Sequence, residues 1–140
     1  MNQRCKTLRR KEYIFGSDRP FMRSHASTLV ELDNGDTLVA WFGGTAEKNL
    51  DTAIWYSRRR DGKWSYPEVL ADEEGTAQWN PVLFYAPDKT IYLYYKIGKN
   101  ESEWYTRFMF SKDNGLTWSE PEDLVPGDRG GRGPVKNKPI

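Results

Sequence analysis

Trp118-Ser119-Glu120-Pro121-Glu122 repeats Trp64-Ser65-Tyr66-Pro67-Glu68 at a distance of 54 residues. The same offset carries Leu29 onto Leu83, Trp41 onto Tyr95, Gly44 onto Gly98, Ser57 onto Ser111 and Leu70 onto Leu124, without insertion or deletion. Self-similarity at a period of this size means stacked supersecondary units. Each unit carries four short runs of β-branched and aromatic residues bounded by turn residues, the signature of strands. In the first unit they are Ser27–Leu32, Thr37–Phe42, Ala53–Arg58 and roughly Trp64–Leu70; in the second, Pro81–Tyr85, Thr90–Ile97, Tyr105–Ser111 and roughly Trp118–Leu124. Asp33-Asn34-Gly35-Asp36 joins the first two strands, with Asn-Gly expected to supply the positive-φ residues of a tight hairpin. Pro87-Asp88-Lys89 fills the same place in unit two. Four antiparallel strands per unit, repeated, predict an all-β fold of propeller blades.

Ser111-Lys112-Asp113-Asn114-Gly115-Leu116-Thr117-Trp118 spells S-x-D-x-G-x-T-W before the repeated tail. Asp113 is placed to bond backbone amides two residues on, Gly115 to take a left-handed conformation, and Trp118 to fold back over apolar surface between units. The earlier copy, Ser57 to Trp64, keeps Ser and Trp but has Arg59 and Lys63 where the later one has Asp113 and Thr117. This box, the period, and the stretch Ser27 to Phe42 resemble the sialidase (neuraminidase)-like Asp-box, or BNR-repeat, superfamily over roughly residues 23–140. The resemblance implies a partial sialidase-like propeller, six-bladed in the whole protein. It assigns Ser111, Asp113, Gly115, Thr117 and Trp118 a structural role, and implies glycosidase chemistry on acidic sugars.

Propellers close with four to eight blades. Blade one is expected at about 23–72, blade two at about 77–126 and the start of a third at about 133–140, behind a leader at 1–22 in which Glu12–Phe15 could add a strand to the last blade of the intact protein. The chain thus reads as the N-terminal part of a longer protein, inactive alone, whose open strand edges are completed by further blades or by association. A net charge of +1, from 21 basic and 20 acidic residues scattered along the chain, gives no footprint for nucleic acid or an anionic membrane. Arg58-Arg59-Arg60 reads as a solvated rim. Cys5 and His25 are the sole residues of their types, so no intrachain disulfide forms and no zinc site or cofactor is expected. No apolar run marks a signal peptide, from which a cytoplasmic location is expected.

In sialidase-like propellers the box turns lie opposite the active face, so the resemblance directs attention to the entrances of strands one and three and the exit of strand two. By the repeat, His25 aligns with Trp79 and Asn137, and Ala26 with Asn80 and Lys138, which would ring one axial mouth. His25 offers proton transfer near neutral pH. Arg23, Asn80, Asn137 and Lys138 can hold carboxylate or hydroxyl oxygens, and Trp79 offers a stacking face. Lys96 stands near the same rim, and Asp51, directly before strand three, is the carboxylate best placed for catalysis. Each has a plainer alternative: a hydrogen-bonded His25, a packed Trp79, a loop-capping Asn80, a turn-capping Asp51.

Sialidases open blade one with a Phe/Tyr-Arg-Ile-Pro motif, and here His25 stands at the register of that Arg, with Arg23 two residues earlier. Three readings follow from these residues. One is a glycoside-processing enzyme on acidic sugars, by hydrolysis or as a lyase on uronic acids. The second is a non-catalytic glycan- or protein-binding propeller, and the third an inert truncated product.

Overall fold

The computed structural model describes residues 9–139, so Cys5, the first eight residues of the expected leader and Ile140 lie outside it. Two antiparallel sheets form. The first comprises β1 (Arg23–Glu31), β2 (Thr37–Gly44), β3 (Ala53–Arg60), β4 (Lys63–Trp64) and β5 (Glu68–Ala71), with β4 and β5 both paired to β3. The second comprises β6 (Gln78–Tyr85), β7 (Ile91–Ile97), β8 (Tyr105–Ser111) and β9 (Glu122–Asp123) in sequential order. These are two blades, with β1 and β6 innermost and facing each other.

The strand β2 shows why they stack. Leu38 to Phe42 is an unbroken apolar run, and alternation in a strand sends its residues to opposite faces. Leu38, Ala40 and Phe42 enter the large core between the blades with Val30, Ile54, Trp79, Leu83, Ile91, Leu93, Tyr95 and Met109. Val39 and Trp41 face the other way, where Phe21, Ile14 and Phe15 of the preceding segment cover them. Each such side chain contributes about 1.5–3 kcal/mol on full burial. The segment before β1 therefore packs as an aromatic cover and forms no strand among the described residues.

Three other boundaries differ from the sequence expectation. The fourth strand of blade one splits around Ser65–Pro67, and that of blade two shrinks to Glu122–Asp123 after Pro121, because proline has no N–H for the ladder. No strand forms over 133–139, where a third blade was expected to start. The first strands begin earlier than expected, at Arg23 and Gln78, so His25, Trp79 and Asn80 belong to strands and not to entrance loops.

The β1–β2 and β2–β3 register places the Asp33–Asp36 turn at the far end of blade one from Arg23. Only Gly35 takes positive φ there (89°), and Lys89, its repeat equivalent, does the same (70°). Asn34 serves instead through its side chain, accepting from the Asp36 amide at 2.9 Å, as Asp88 accepts from Thr90 at 3.0 Å. Asp36, 4% exposed, takes Arg58 at 2.8 Å and Arg60 at 2.6 Å. Arg58 also donates to the Asn114 carbonyl of blade two at 2.5 Å. Arg59, standing where the second unit has Asp113, pairs with Glu12 at 2.7 Å, and Glu12 accepts from the Trp64 indole at 3.0 Å. The arginine run is therefore a set of ties between blade one, its neighbour and the preceding segment, not a solvated rim.

In the Ser111–Trp118 turn, Asp113 accepts from Ser111 Oγ (2.8 Å), the Thr117 amide (2.9 Å) and Thr117 Oγ1 (2.5 Å). The bonded amide lies four residues on, not two. Gly115 has φ of 78°, and a Cβ there would sit 2.8 Å from Leu38 Cδ1 of blade one. Trp118 packs against the inter-blade core, as its spacing predicts.

These carboxylates make the fold acid-sensitive. Glu12 is held down at about 2, chiefly by Arg59, and Asp113 at about 2, chiefly by Thr117. Asp36 is lowered by Arg60 and Arg58 against the opposing effect of burial. A carboxyl whose folded pKa lies below its unfolded value stabilises fully above the unfolded value and loses that contribution as pH falls through the folded one. The melting temperature should hold steady down to about pH 5 and fall steeply below about pH 4. Circular dichroism melts across pH 7 to 2 check this, and a flat profile would contradict these ties.

Candidate functional site

The antiparallel order gathers the starts of β1, β3, β6 and β8 and the ends of β2, β5 and β7 at one end of the blades. Arg23 and His25 stand there at the start of β1, both exposed; the His25 ring lies 5.6 Å from that of Phe42, its cross-strand partner. Both innermost strands are bulged at the same repeat position. The ladder slips between His25 and Thr28 in β1 and between Trp79 and Val82 in β6. Ala26 has φ of 54° and Asn80 φ of 43°. Left-handed backbone costs a non-glycine residue roughly 1–2 kcal/mol, and bulges re-aim side chains where they occur. Asn80, half-buried, places its amide nitrogen 3.5 Å from the Val135 carbonyl.

The structure gives other predicted site residues different work. Trp79 is 1% exposed, its ring 5.7 Å from Phe42 and 5.4 Å from Trp104, and its indole donates to the Gly98 carbonyl at 2.8 Å. No face is open for a sugar, because the blade interface takes both. Lys96 is completely buried. Its ammonium donates to Thr106 Oγ1 (2.5 Å) and to the carbonyls of Gly131 and Arg132 (both 2.7 Å) and Gly133 (3.3 Å). Burial lowers its pKa, but the charge goes to main chain and none is left for a ligand.

Lys138 crosses both blades. Its ammonium lies 2.7 Å from the carbonyl of Leu29 and 2.5 Å from that of Leu83, equivalent residues on the two innermost strands. That contact is four residues below His25 along β1, so Lys138 sits deeper than the mouth and does not ring it with His25 and Asn80. Burial lowers its pKa as well. Asp51 accepts from the Thr45 amide at 3.1 Å and from its hydroxyl, closing the loop between β2 and β3. A Cβ on Gly44 would meet its carboxylate oxygen at 2.9 Å. Asp51 thus ties the loop at the end of the blades where β1 begins. Asn137 is exposed.

Two residues at this end were not foreseen. Asp72, directly after β5, has its pKa raised by burial and then by Asp51 and Glu74, a grouping made by chain return and invisible in local pattern. Lys136 lines a cleft of about 210 Å³ with Ala26, Ser27, Asn80, Pro81 and Val135, so the two bulges face the same space. Its alternation with Lys138 was the available signal. No group of three or more potential metal-ligating side chains occurs among the described residues.

Solved structures share this architecture. A protein of unknown function from Dyadobacter fermentans superposes with a TM-score of 0.58 at 18% identity over 71% of this chain and 35% of its own. The Hadza microbial sialidase Hz136 gives 0.62 at 16% identity, over 74% of this chain and 26% of its own. The α-L-arabinanase of Penicillium chrysogenum, complexed with arabinobiose, gives 0.57 at 20% identity, over 74% and 33%. The chain thus spans about a third or less of the length of each. No curated protein matches its sequence. The family model described as BNR repeat-like domain matches residues 35–140, well over half of the chain, and reaches from the first hairpin through both blades to the Lys136 segment. This chain belongs to the BNR repeat-like domain family.

Proposed function

We propose that this chain forms the first blades of a carbohydrate-active propeller, six-bladed when whole, that processes glycosides of acidic sugars at the end where β1 and β6 begin. One observation carries the reading: Arg23 and His25 stand exposed on an innermost strand, at an end where both such strands carry a strained bulge. Strained backbone clusters at functional sites because packing elsewhere would select against it. That two fold relatives are a sialidase and an arabinanase supports a glycan ligand. In this reading His25 moves the proton at the glycosidic oxygen or the carbon next to a carboxylate, while Arg23 and Asn80 hold ligand oxygens.

The test uses the full-length protein on a fluorogenic sialoside and on uronate polymers. Turnover of one of them is expected, with a fall of about a hundredfold in His25→Ala, within the range for losing a general acid or base. Equal turnover by the variant would remove His25 from the mechanism. A non-catalytic glycan-binding propeller is the second reading, favoured by the loss of Asp51 to Thr45. It wins if no substrate turns over while the protein is retained on acidic glycans.

A further inference from the structure

Two Asn-Gly pairs flank one arginine. Arg58 donates to Asp36, in the hairpin turn of blade one, at 2.8 Å and to the Asn114 carbonyl of blade two at 2.5 Å. Asn34-Gly35 and Asn114-Gly115 therefore stand on either side of one tie between the blades. In an Asn-Gly pair the glycine nitrogen can attack the asparagine Cγ, because glycine has no side chain to hinder ring closure. The fold houses the two pairs differently. Asn34 and Gly35 are both exposed, and a Cβ on Gly35 would meet nothing within 4 Å beyond its chain neighbours, so a five-membered ring and an incoming water have room. The Asn34 side-chain oxygen accepts from the Asp36 amide at 2.9 Å, a donor already in place for the negative charge that gathers on that oxygen during attack. A single main-chain bond, to the Leu32 carbonyl at 2.9 Å, holds the Gly35 N–H. Gly115 is buried instead. Its N–H donates to Ser111 Oγ at 2.8 Å, and a Cβ there would lie 2.8 Å from Leu38 Cδ1 of blade one. With the Asn114 carbonyl also held by Arg58, this pair turns toward ring closure only if the blade interface opens.

We propose that Asn34 is a site of spontaneous covalent modification, converting to isoaspartate and so loosening the Arg58 tie, while the fold preserves Asn114. The Gly35 nitrogen bonds to Asn34 Cγ, and its proton leaves with the side-chain nitrogen as ammonia, giving a cyclic imide. One water then opens the ring, its hydroxyl going to a carbonyl carbon and its remaining hydrogen to the ring nitrogen. Water enters and ammonia departs, with no change of oxidation state. Opening at the original main-chain carbonyl leaves Gly35 joined through Cγ and adds a methylene to the path of the turn. In the native turn the Leu32 amide donates to the Asp36 carbonyl at 2.8 Å while the Asp36 carboxylate holds Arg58 and Arg60. A longer turn cannot keep both the main-chain bond and the placement of that carboxylate. Arg58 then loses the partner that aims it at Asn114.

The experiment incubates the full-length protein in mildly alkaline buffer and digests timed samples with trypsin. Cleavage isolates Asn34 in peptide 24–48 and Asn114 in peptide 113–129, neither holding another asparagine or a glutamine. Peptide 24–48 should gain one mass unit and accept label from an isoaspartyl methyltransferase at least about tenfold faster than peptide 113–129, the ratio for one further buried bond to be opened. In urea the two peptides should convert at similar rates. The isoaspartyl protein, separated by ion exchange, should melt about 2–8 °C below the native form. Equal rates in the folded protein, or no gain in peptide 24–48, overturns the site. A rate difference that persists unchanged in urea overturns the protection of Asn114 by the fold. An isoaspartyl form that melts with the native one overturns the link to the blade tie.

Discussion

Replacing Trp79 by alanine should destabilise the protein by about 3–5 kcal/mol, the range for deleting a large buried aromatic. Nothing is positioned to refill the space, because Phe42 of blade one and Trp104 of blade two already pack on this ring at 5.7 and 5.4 Å. The Gly98 carbonyl, which accepts from the indole at 2.8 Å, loses its partner too. Typical total stability is about 5–15 kcal/mol, so the loss is a large fraction of it. Trp79→Phe keeps most of the packing and forfeits the hydrogen bond, for about 1–2 kcal/mol. Urea unfolding of both variants measures the difference. A sugar platform would behave in the opposite way, with weak binding and an unchanged midpoint.

Lys96→Met should act differently, through one segment. Methionine fills the volume without the desolvation of a buried ammonium, which offsets part of the loss. Thr106 Oγ1 and the carbonyls of Gly131, Arg132 and Gly133 nevertheless lose their common donor. At about 1 kcal/mol net per hydrogen bond, and with the desolvation relief subtracted, a loss of about 2 kcal/mol is expected. The carbonyls can turn to water only if the segment lifts from β7. Cleavage by trypsin after Arg129 and Arg132 should therefore accelerate about tenfold or more, since proteolysis of an opened state follows its population. Unchanged cleavage would mean that the segment is held by something other than this ammonium.

Lys96 also shows where the sequence stops being informative. The 54-residue offset made the two blades readable, because matched strands and turns leave the same marks in both copies. It also aligned Lys96 with Phe42, and that alignment holds physically: Phe42 enters the core toward the following blade, and Lys96 binds the segment that follows β9. What the alignment could not convey is that hydrogen bonds replace apolar contact at the second position. Those bonds span 35 to 37 residues, and no local pattern encodes them. The same holds for Lys138, whose partners lie 109 and 55 residues away.

The mouth was half legible. The 54-residue offset aligned His25 with Trp79, and both stand at the same position of their innermost strands, although β1 begins four residues before its residue pattern indicates. The bulges could not be read from Ala26, which has no conformational signature of its own, although Asn80 tolerates left-handed backbone and could have hinted at one. Past each bulge the strand continues toward its start, to Arg23 in β1 and to Gln78 in β6. Asp51 was readable as a turn tie as well as a catalyst, and its bonds from the Thr45 amide show the tie.

The Lys138 bridge has a mechanical consequence. A single ammonium pins matching points of two inner strands from a third stretch of chain, while the outermost strand of blade two has a ladder of only two residue pairs, Arg107 with Asp123 and Phe108 with Glu122, flanked by isolated bonds such as Leu124 to Thr106. The assembly is stiff at its hub and loosely fastened at its circumference. Force or heat should then peel it from the periphery inward, with the inner strands the last part to lose their shape.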